Sequence, residues 1–143
     1  MDESVIDEES FGIKAAKSFV KAESPHNLMI IYGKDEMARR RSLNIIWDEL
    51  NIQNEDKKIT LTGAGMLDEI ERFIEEKSDM LIINELQNSL LDSAKLFELL
   101  QIYMSSREKK LLLISDRHPS GLTNIDEKCK SVLQTFLIAD MQR

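Results

Sequence analysis

Hydrophobic residues follow two patterns along the chain, and the two patterns alternate. Short segments that are continuously apolar or rich in β-branched residues are predicted to be strands at 28–32, 58–62, 80–83, 111–114 and 135–139. Segments whose apolar residues recur every three or four positions are predicted to be helices at 10–22, 37–50, 66–76, 90–104 and 125–133. Because strands and helices alternate, the prediction is an α/β fold, a three-layer sandwich with a five-stranded parallel sheet between two layers of helices.

The helical periodicity also predicts which side chains are buried. In the first helix, Phe11, Ala15, Phe19 and Ala22 share one face, and this face is predicted to pack on the sheet. Methionine fills irregular gaps in apolar cores, and core positions are predicted for Met29, Met37, Met66, Met80 and Met104.

A single domain is predicted. The 143 residues are 42% hydrophobic and 31% charged, a composition typical of a globular domain that buries a core. Residues 1–9 are predicted to be a flexible acidic N-terminus, and residues 10–143 to form the folded domain. No apolar run reaches the ~20 residues of a membrane span, and the acidic start lacks the features of a signal peptide. The chain is therefore predicted to be cytoplasmic, without membrane contact.

The charge of the chain bears on its partners. The formal net charge is −7, and binding to DNA is predicted to be weak or absent because phosphate neutralisation requires clustered Lys and Arg. One basic cluster is formed by Lys34, Arg39, Arg40 and Arg41. It has two interpretations: a contact with an anion or nucleic acid, or a solvated helix face paired with nearby acids. The second interpretation is favoured.

Cysteine and histidine leave little scope for chemistry. Cys129 is the only cysteine, so no internal disulfide can form. Its neighbours Lys128 and Lys130 could lower the thiol pKa, but an unreactive thiol on the flank of a helix is the favoured interpretation. The two histidines, His26 and His118, do not have the spacing of metal ligands, and no metal site is predicted.

Polar residues follow several of the predicted strands, where the ligands of parallel α/β folds bind. Asn27–Gly33 followed by a helix ending in Glu49-Leu50 resembles the phosphate-loop unit of the bacterial DnaA family, whose core is an AAA+ ATPase. Asp79–Gln87 is similar to the acidic strand of that family, D-x-L-L-I-D-D-I-Q. Leu113–Pro119 is similar to its sensor strand, which ends in Ser-Asp-Arg-Pro-Pro, and Ile138–Gln142 to its I-A-D-I-Q strand end. The resemblance implies the AAA+ core fold.

The phosphate loop of the family is the part most changed in this chain. In the family, glycines let the loop amides surround the phosphates, while a Lys neutralises their charge and a Thr holds Mg²⁺. Here the corresponding segment, Lys34–Arg40, has no glycine beyond Gly33. Arg39 stands at the Lys position and Arg40 at the Thr position. Because arginine does not coordinate Mg²⁺, binding of ATP and Mg²⁺ as cofactors is predicted to be lost.

Other positions implied by the resemblance also differ. The carboxylates of Asp35 and Glu36 are predicted to cap the first turn of the following helix and to repel a triphosphate. Asn84 replaces the Asp that helps to hold Mg²⁺, Glu85 keeps a carboxylate that could polarise water, and Val132 stands where an arginine finger is expected.

The sensor strand keeps Asp116 and Arg117. A hydrogen-bond network at the strand end is the favoured interpretation of this pair, and a retained sensing role is the alternative.

The predicted function is that of a non-catalytic, DnaA-related domain that acts in or regulates DNA replication initiation through protein–protein contacts. The resemblance implies DnaA itself or another replisome component as the partner. The sequence reaches Arg143 before any helical lid or DNA-binding helices of the family, so no lid domain is predicted. Two alternatives stay open: a nucleotide-binding protein with an altered phosphate loop, and a piece of a longer protein.

Overall fold

A parallel β-sheet forms the centre of the protein. The computed structural model describes residues 10–21, 26–53, 59–63, 79–88, 93–106 and 108–141. The strands are β1 Leu28–Tyr32, β2 Ile59–Gly63, β3 Met80–Asn84, β4 Lys110–Ser115 and β5 Leu137–Asp140. All neighbouring strands are parallel, in the order β2-β3-β4-β1-β5. The prediction of a five-stranded parallel sheet is confirmed.

Four α-helices lie within the described residues: α1 Phe11–Phe19, α2 Glu36–Gln53, α3 Ser93–Met104 and α4 Glu127–Leu133. Short 3-10 turns follow β3 at Leu86–Asn88 and β4 at Pro119–Gly121. Each α-helix falls within or close to a predicted one. The helix predicted at 66–76 and the flexible N-terminus predicted at 1–9 lie outside the described residues.

The sheet separates two apolar clusters. One cluster lies between the sheet and helices α1 and α2, and the other lies between the sheet and helices α3 and α4. Successive side chains of a strand point to opposite faces. In β1, Met29 and Ile31 therefore enter the first cluster, while Ile30 enters the second. A strand apolar at every position suits this arrangement because both of its faces are covered.

The buried face of α1 agrees only in part with the predicted one. Phe19 is buried and Ala15 is half-buried, as predicted, and Ala22 lies outside the described residues. Phe11, however, is 78% exposed, and Gly12, Ile13 and Ala16 are buried instead. Gly12 accounts for the difference, because a Cβ atom at this position would lie 2.0 Å from the backbone oxygen of Asp140. The missing side chain lets the helix backbone approach β5, which turns Phe11 outwards.

The methionine prediction is wrong at two positions. Met29 and Met80 are buried as predicted, but Met37 is 66% exposed and Met104 is 43% exposed. Met37 lies in the first turn of α2 and Met104 is the last residue of α3. Both side chains lie on an exposed side of their helix, so apolar character alone did not identify the buried positions.

Two side chains fasten helix ends to the amino edge of the sheet. The Lys110 ammonium, at the start of β4, donates to the carbonyl oxygens of Phe19, the last residue of α1, and of Lys21, which follows the helix. Asn27, just before β1, donates from Nδ2 to the carbonyl oxygens of Tyr103 (3.0 Å) and Ser106 (2.6 Å) at the end of α3. Because the last carbonyls of a helix have no partner within it, these contacts both satisfy them and fix the helix positions.

The Cys129 side chain is part of the cluster under α3 and α4. Its Sγ is buried and donates to the carbonyl oxygen of Ser93 at 3.3 Å. Burial raises the pKa of the thiol to about 11, and the nearby Asp126 carboxylate adds to the increase. The charge of Lys128 lowers the pKa, but by less than burial and Asp126 raise it. The alternative of a reactive thiol is therefore wrong.

We expect Gly12→Ala to lower the free energy of unfolding by about 1–3 kcal/mol. The added methyl group meets only the rigid backbone of Asp140 and Met141, and this clash exceeds the roughly 1 kcal/mol that alanine contributes to a helix. Urea unfolding measures the change. Gly121→Ala is the matched control, because its new methyl group would first meet the Arg117 side chain at 3.5 Å. Equal stabilities of the two variants would contradict the close approach of α1 to β5.

The pKa of Cys129 predicts a loss of stability in alkali. The ordinary thiol value is 9.0 and the value in the fold is about 11, so the contribution is present below about pH 9 and lost as the pH rises to about 11. From about pH 8 to about pH 10.5, we expect the natural protein to lose roughly 1–2 kcal/mol more than Cys129→Ala. Burial also raises the pKa of Tyr103, to about 12. Tyr103 titrates in both proteins, so its contribution cancels in the comparison. Parallel losses in the two proteins would contradict the prediction.

Candidate functional site

The loops that follow β1, β3 and β4 meet at the carboxyl edge of the sheet. A pocket of about 240 Å³ opens there, lined by Glu36, Arg39, Arg40, Asn84 and Glu85. All five residues belong to the predicted site. The sheet order explains their proximity, because β1 and β3 are the two neighbours of β4.

The connection between β1 and α2 is short. β1 ends at Tyr32 and α2 begins at Glu36, so the second half of the segment that resembles a phosphate loop is helical. The Asp35 carboxylate accepts a hydrogen bond from the backbone N–H of Met37 at 3.0 Å, which caps the helix as predicted. Glu36 does not cap. It forms an exposed ion pair with Arg40 one helical turn later, at 3.3 Å.

Arg39 is the centre of the site. Its side chain points into the protein, where the residue is only 7% exposed. Nη1 donates to the carbonyl oxygens of Gly33 (2.9 Å) and Lys34 (3.0 Å). Nε and Nη2 donate to the two carboxylate oxygens of Glu85, at 2.9 and 3.3 Å. Four of the five N–H groups of the guanidinium are therefore used within the chain.

Glu85 has an unusual backbone. Its φ of 58° is in the left-handed region, which costs a residue with a side chain roughly 1–2 kcal/mol. The Asn84 side chain supports this conformation, since its Oδ1 accepts from the Glu85 N–H at 3.0 Å. Burial raises the pKa of the Glu85 carboxyl, but hydrogen bonds from Arg39 and Gln87 and the charge of Arg39 outweigh burial, so the pKa is lowered overall. The carboxylate is thus held ionised against Arg39.

Gln87 connects this ion pair to the loop after β4. Its Nε2 donates to Glu85 Oε2 at 3.0 Å, and its Oε1 accepts from the backbone N–H of Asp116 at 3.1 Å. Sequence reasoning placed Gln87 in a motif but assigned it no role in the site. The signal was its position as the last residue of the segment that resembles the acidic strand.

Asp116 and Arg117 form a strand-end network. The Asp116 carboxylate accepts from Arg117 Nε and Nη2 at 2.7 and 2.9 Å, and the hydrogen bond from Arg117 is the main reason that the pKa of Asp116 is lowered. Ser115 closes the turn, because its hydroxyl donates to the carbonyl oxygen of Arg117 and accepts from its N–H. This arrangement agrees with the favoured interpretation of the pair, a hydrogen-bond network at the strand end.

The structure separates the members of the basic cluster. Arg39 is buried, so the interpretation of the whole cluster as a solvated face is wrong for this residue. Arg40 fits that interpretation, because its exposed side chain pairs with Glu36. Arg41 and Lys34 are exposed as well. Val132, at the expected position of an arginine finger, packs against the cluster under α3 and α4.

The described part of the chain offers no group of three His, Cys, Asp or Glu side chains that could hold a metal ion. Among the described helices, none is long and apolar enough to cross a membrane.

A double-mutant cycle tests the ion pair at the centre of the site. We expect Arg39→Ala and Glu85→Ala each to cost about 2–3 kcal/mol, with a coupling of about 1–3 kcal/mol between them. The exposed Arg40–Glu36 pair is the control, and its coupling is expected to stay below about 0.5 kcal/mol. The Arg39–Glu85 coupling is present above the ordinary Glu pKa of 4.5 and lost as the pH falls through the lowered value. Similar couplings for the two pairs would contradict the buried bridge.

Comparisons with known proteins identify the family. The sequence profile of the bacterial DnaA ATPase domain matches residues 5–140. A comparison with curated proteins found no match. Among solved structures, domain III of the Thermotoga maritima replication initiation protein DnaA is 20% identical, with a TM-score of 0.73 over 92% of this chain and 61% of that chain. AMPPCP-bound DnaA from Aquifex aeolicus is 18% identical, with a TM-score of 0.65 over 90% of this chain and 44% of that chain.

The similarity extends to a protein of another name. The crystal structure of DnaI is 14% identical, with a TM-score of 0.68 over 99% of this chain and 91% of that chain. The chain spans about three fifths of the Thermotoga domain that it matches. At these identities the structures establish the fold, an α/β core of the AAA+ type, while the sequence profile covers nearly the whole chain. The chain belongs to the bacterial DnaA ATPase-domain family.

Proposed function

We propose that this chain is a non-catalytic DnaA-family domain that acts in or regulates DNA replication initiation by binding another protein. The observation that carries the proposal is the position of Arg39. Its guanidinium lies between the loop after β1 and the Glu85 carboxylate, where the family resemblance locates the phosphates of ATP.

ATP and Mg²⁺ do not fit the residues of this site. An anion site at a helix start requires free N–H groups, but the Met37 N–H in the first turn is taken by the Asp35 carboxylate. The pocket also brings Glu36 and Glu85 to the place of the phosphates, and carboxylates repel a triphosphate. Asn84 offers Mg²⁺ no charge, and its Oδ1 already accepts from a backbone N–H.

A DnaA-family core that binds no nucleotide can still act by contacting another protein. The chain has a net charge of −7, which disfavours DNA as the main partner. DnaA of the same cell is the proposed partner, and another replisome component is the second choice. The similarity to a protein named as a replication initiation protein, DnaA of Thermotoga maritima, supports this assignment. Such a partner also implies that the chain acts in the cytoplasm.

One observation favours a second candidate, a nucleotide-binding protein with an altered phosphate loop. The pocket is lined by Arg40 as well as Arg39, and Arg40 is exposed. Against this candidate, Arg39 has at most one N–H group left for an external phosphate. Arg40 would also have to leave Glu36.

Thermal unfolding with and without ATP and Mg²⁺ separates the two functions. A ligand that binds with a Kd of about 10 µM and is present at about 1 mM stabilises the native state by roughly 2.7 kcal/mol, a rise in Tm of about 5 °C or more. We expect no rise for this chain and a clear rise for a nucleotide-binding DnaA tested beside it. A rise for this chain would replace the proposed function by the second candidate.

Binding to a purified partner tests the other half of the proposal. The chain is mixed with purified DnaA from the same cell, and co-elution in size-exclusion chromatography is measured with and without ATP. We expect a complex in which ATP is hydrolysed by DnaA alone. In the control, an unrelated acidic protein of similar size replaces this chain in the mixture with DnaA. Failure to bind DnaA or any other purified replication initiation protein would contradict the proposal.

A further inference from the structure

We propose that Arg39 acts as an intramolecular ligand, holding the loops after β1, β3 and β4 in one arrangement without any bound molecule. This inference deepens the proposed function and rests on it, because it requires that no nucleotide enters the site. It also explains how a DnaA-family core could keep a fixed surface for a partner while its nucleotide pocket is filled from within.

The surroundings of Arg39 are those of a cation site. The guanidinium faces two backbone carbonyl oxygens, of Gly33 and Lys34, and both carboxylate oxygens of Glu85. Oxygen acceptors on two sides match the planar fork of guanidinium donors. To a phosphate group in the same place, these oxygens would present negative charge. The site is therefore built to hold the cation that the chain itself supplies.

The contacts of Arg39 extend to all three loops. Gly33 and Lys34 follow β1, and Glu85 follows β3. From Glu85 the connection continues through Gln87 to the backbone N–H of Asp116, which follows β4. The Gly33 N–H donates to the carbonyl oxygen of Ser115 at 3.1 Å and closes the circuit. One buried charge thus positions residues that are up to about eighty positions apart along the chain.

Removing the guanidinium should loosen the loops and leave the core intact. Arg39 belongs to neither apolar cluster, so the sheet and its helices do not depend on it for packing. Without Arg39, the Glu85 carboxylate loses two hydrogen bonds and has no counter-charge to hold it in its left-handed backbone conformation. The effect should therefore pass from Glu85 to Gln87 and on to the loop after β4.

Hydrogen–deuterium exchange of the full chain tests this inference. In Arg39→Ala we expect the N–H groups of Met37, Asn88 and Asp116 to exchange about tenfold faster or more, while the strand amides of β1 and β4 keep their protection. Arg40→Ala is the matched control, since it removes a neighbouring arginine that forms only an exposed ion pair, and its loops are expected to exchange as in the natural protein. Unchanged exchange at Asp116 in Arg39→Ala would overturn the inference.

A second variant keeps the test valid if Arg39→Ala does not fold. Arg39→Lys preserves the charge but not the fork, and we expect it to fold with intermediate exchange rates in the three loops. Full protection in Arg39→Lys would show that the fork is not needed and would overturn the inference. Addition of millimolar guanidinium to Arg39→Ala is expected to restore part of the protection, and an equal slowing of loop exchange by guanidinium in Arg40→Ala would count against a specific site.

The same measurement distinguishes the two proposals. Exchange of the natural protein is compared with and without about 1 mM ATP and Mg²⁺. Identical exchange supports both proposals, whereas added protection of the three loops by ATP overturns the proposed function together with the inference. If ATP has no effect and Arg39→Ala leaves the loops unchanged, only the inference is overturned.

Discussion

A buried guanidinium must be surrounded by acceptors, and this requirement organises the carboxyl edge of the sheet. Moving an unpaired charge out of water costs several kcal/mol even in a relaxed protein. Arg39 avoids this cost because two carbonyl oxygens and one carboxylate surround it. No buried side-chain nitrogen or oxygen in the described residues lacks a hydrogen-bond partner. The carbonyl oxygens of Gly33 and Lys34 and the carboxylate of Glu85 thus converge on that one charge.

The two edges of the sheet have different roles. At the amino edge, Lys110 and Asn27 satisfy the carbonyls that end α1 and α3, and these contacts hold helices against the sheet. At the carboxyl edge, the contacts join loops to one another. Between the edges, the apolar clusters on both faces supply the stabilisation that comes from burying hydrophobic area. The site can therefore change its chemistry while the core that supports it stays the same.

Sequence reasoning identified the sheet well because the signal was local. The boundaries of β1 agree at both ends, since a strand covered on both faces is apolar at every position. It failed for Phe11 in α1, because the deciding residue was Gly12, and the reason for that glycine is a backbone 128 positions later, at Asp140. It also failed for Arg39. The cluster of three arginines gives no local sign of which member turns inwards, and the answer depends on Glu85, which follows a different strand. Contacts between distant segments were thus the part that periodicity could not predict.

The position of Cys129 has a practical consequence. It is the only sulfhydryl group of the chain, and it lies inside the protein with its proton held by burial. A maleimide dye added to the folded protein should therefore find little to react with. A cysteine introduced at an exposed position such as Arg41 or Ser120 could then carry a single fluorophore without removal of the natural thiol, and its emission would report when a second molecule covers that part of the surface.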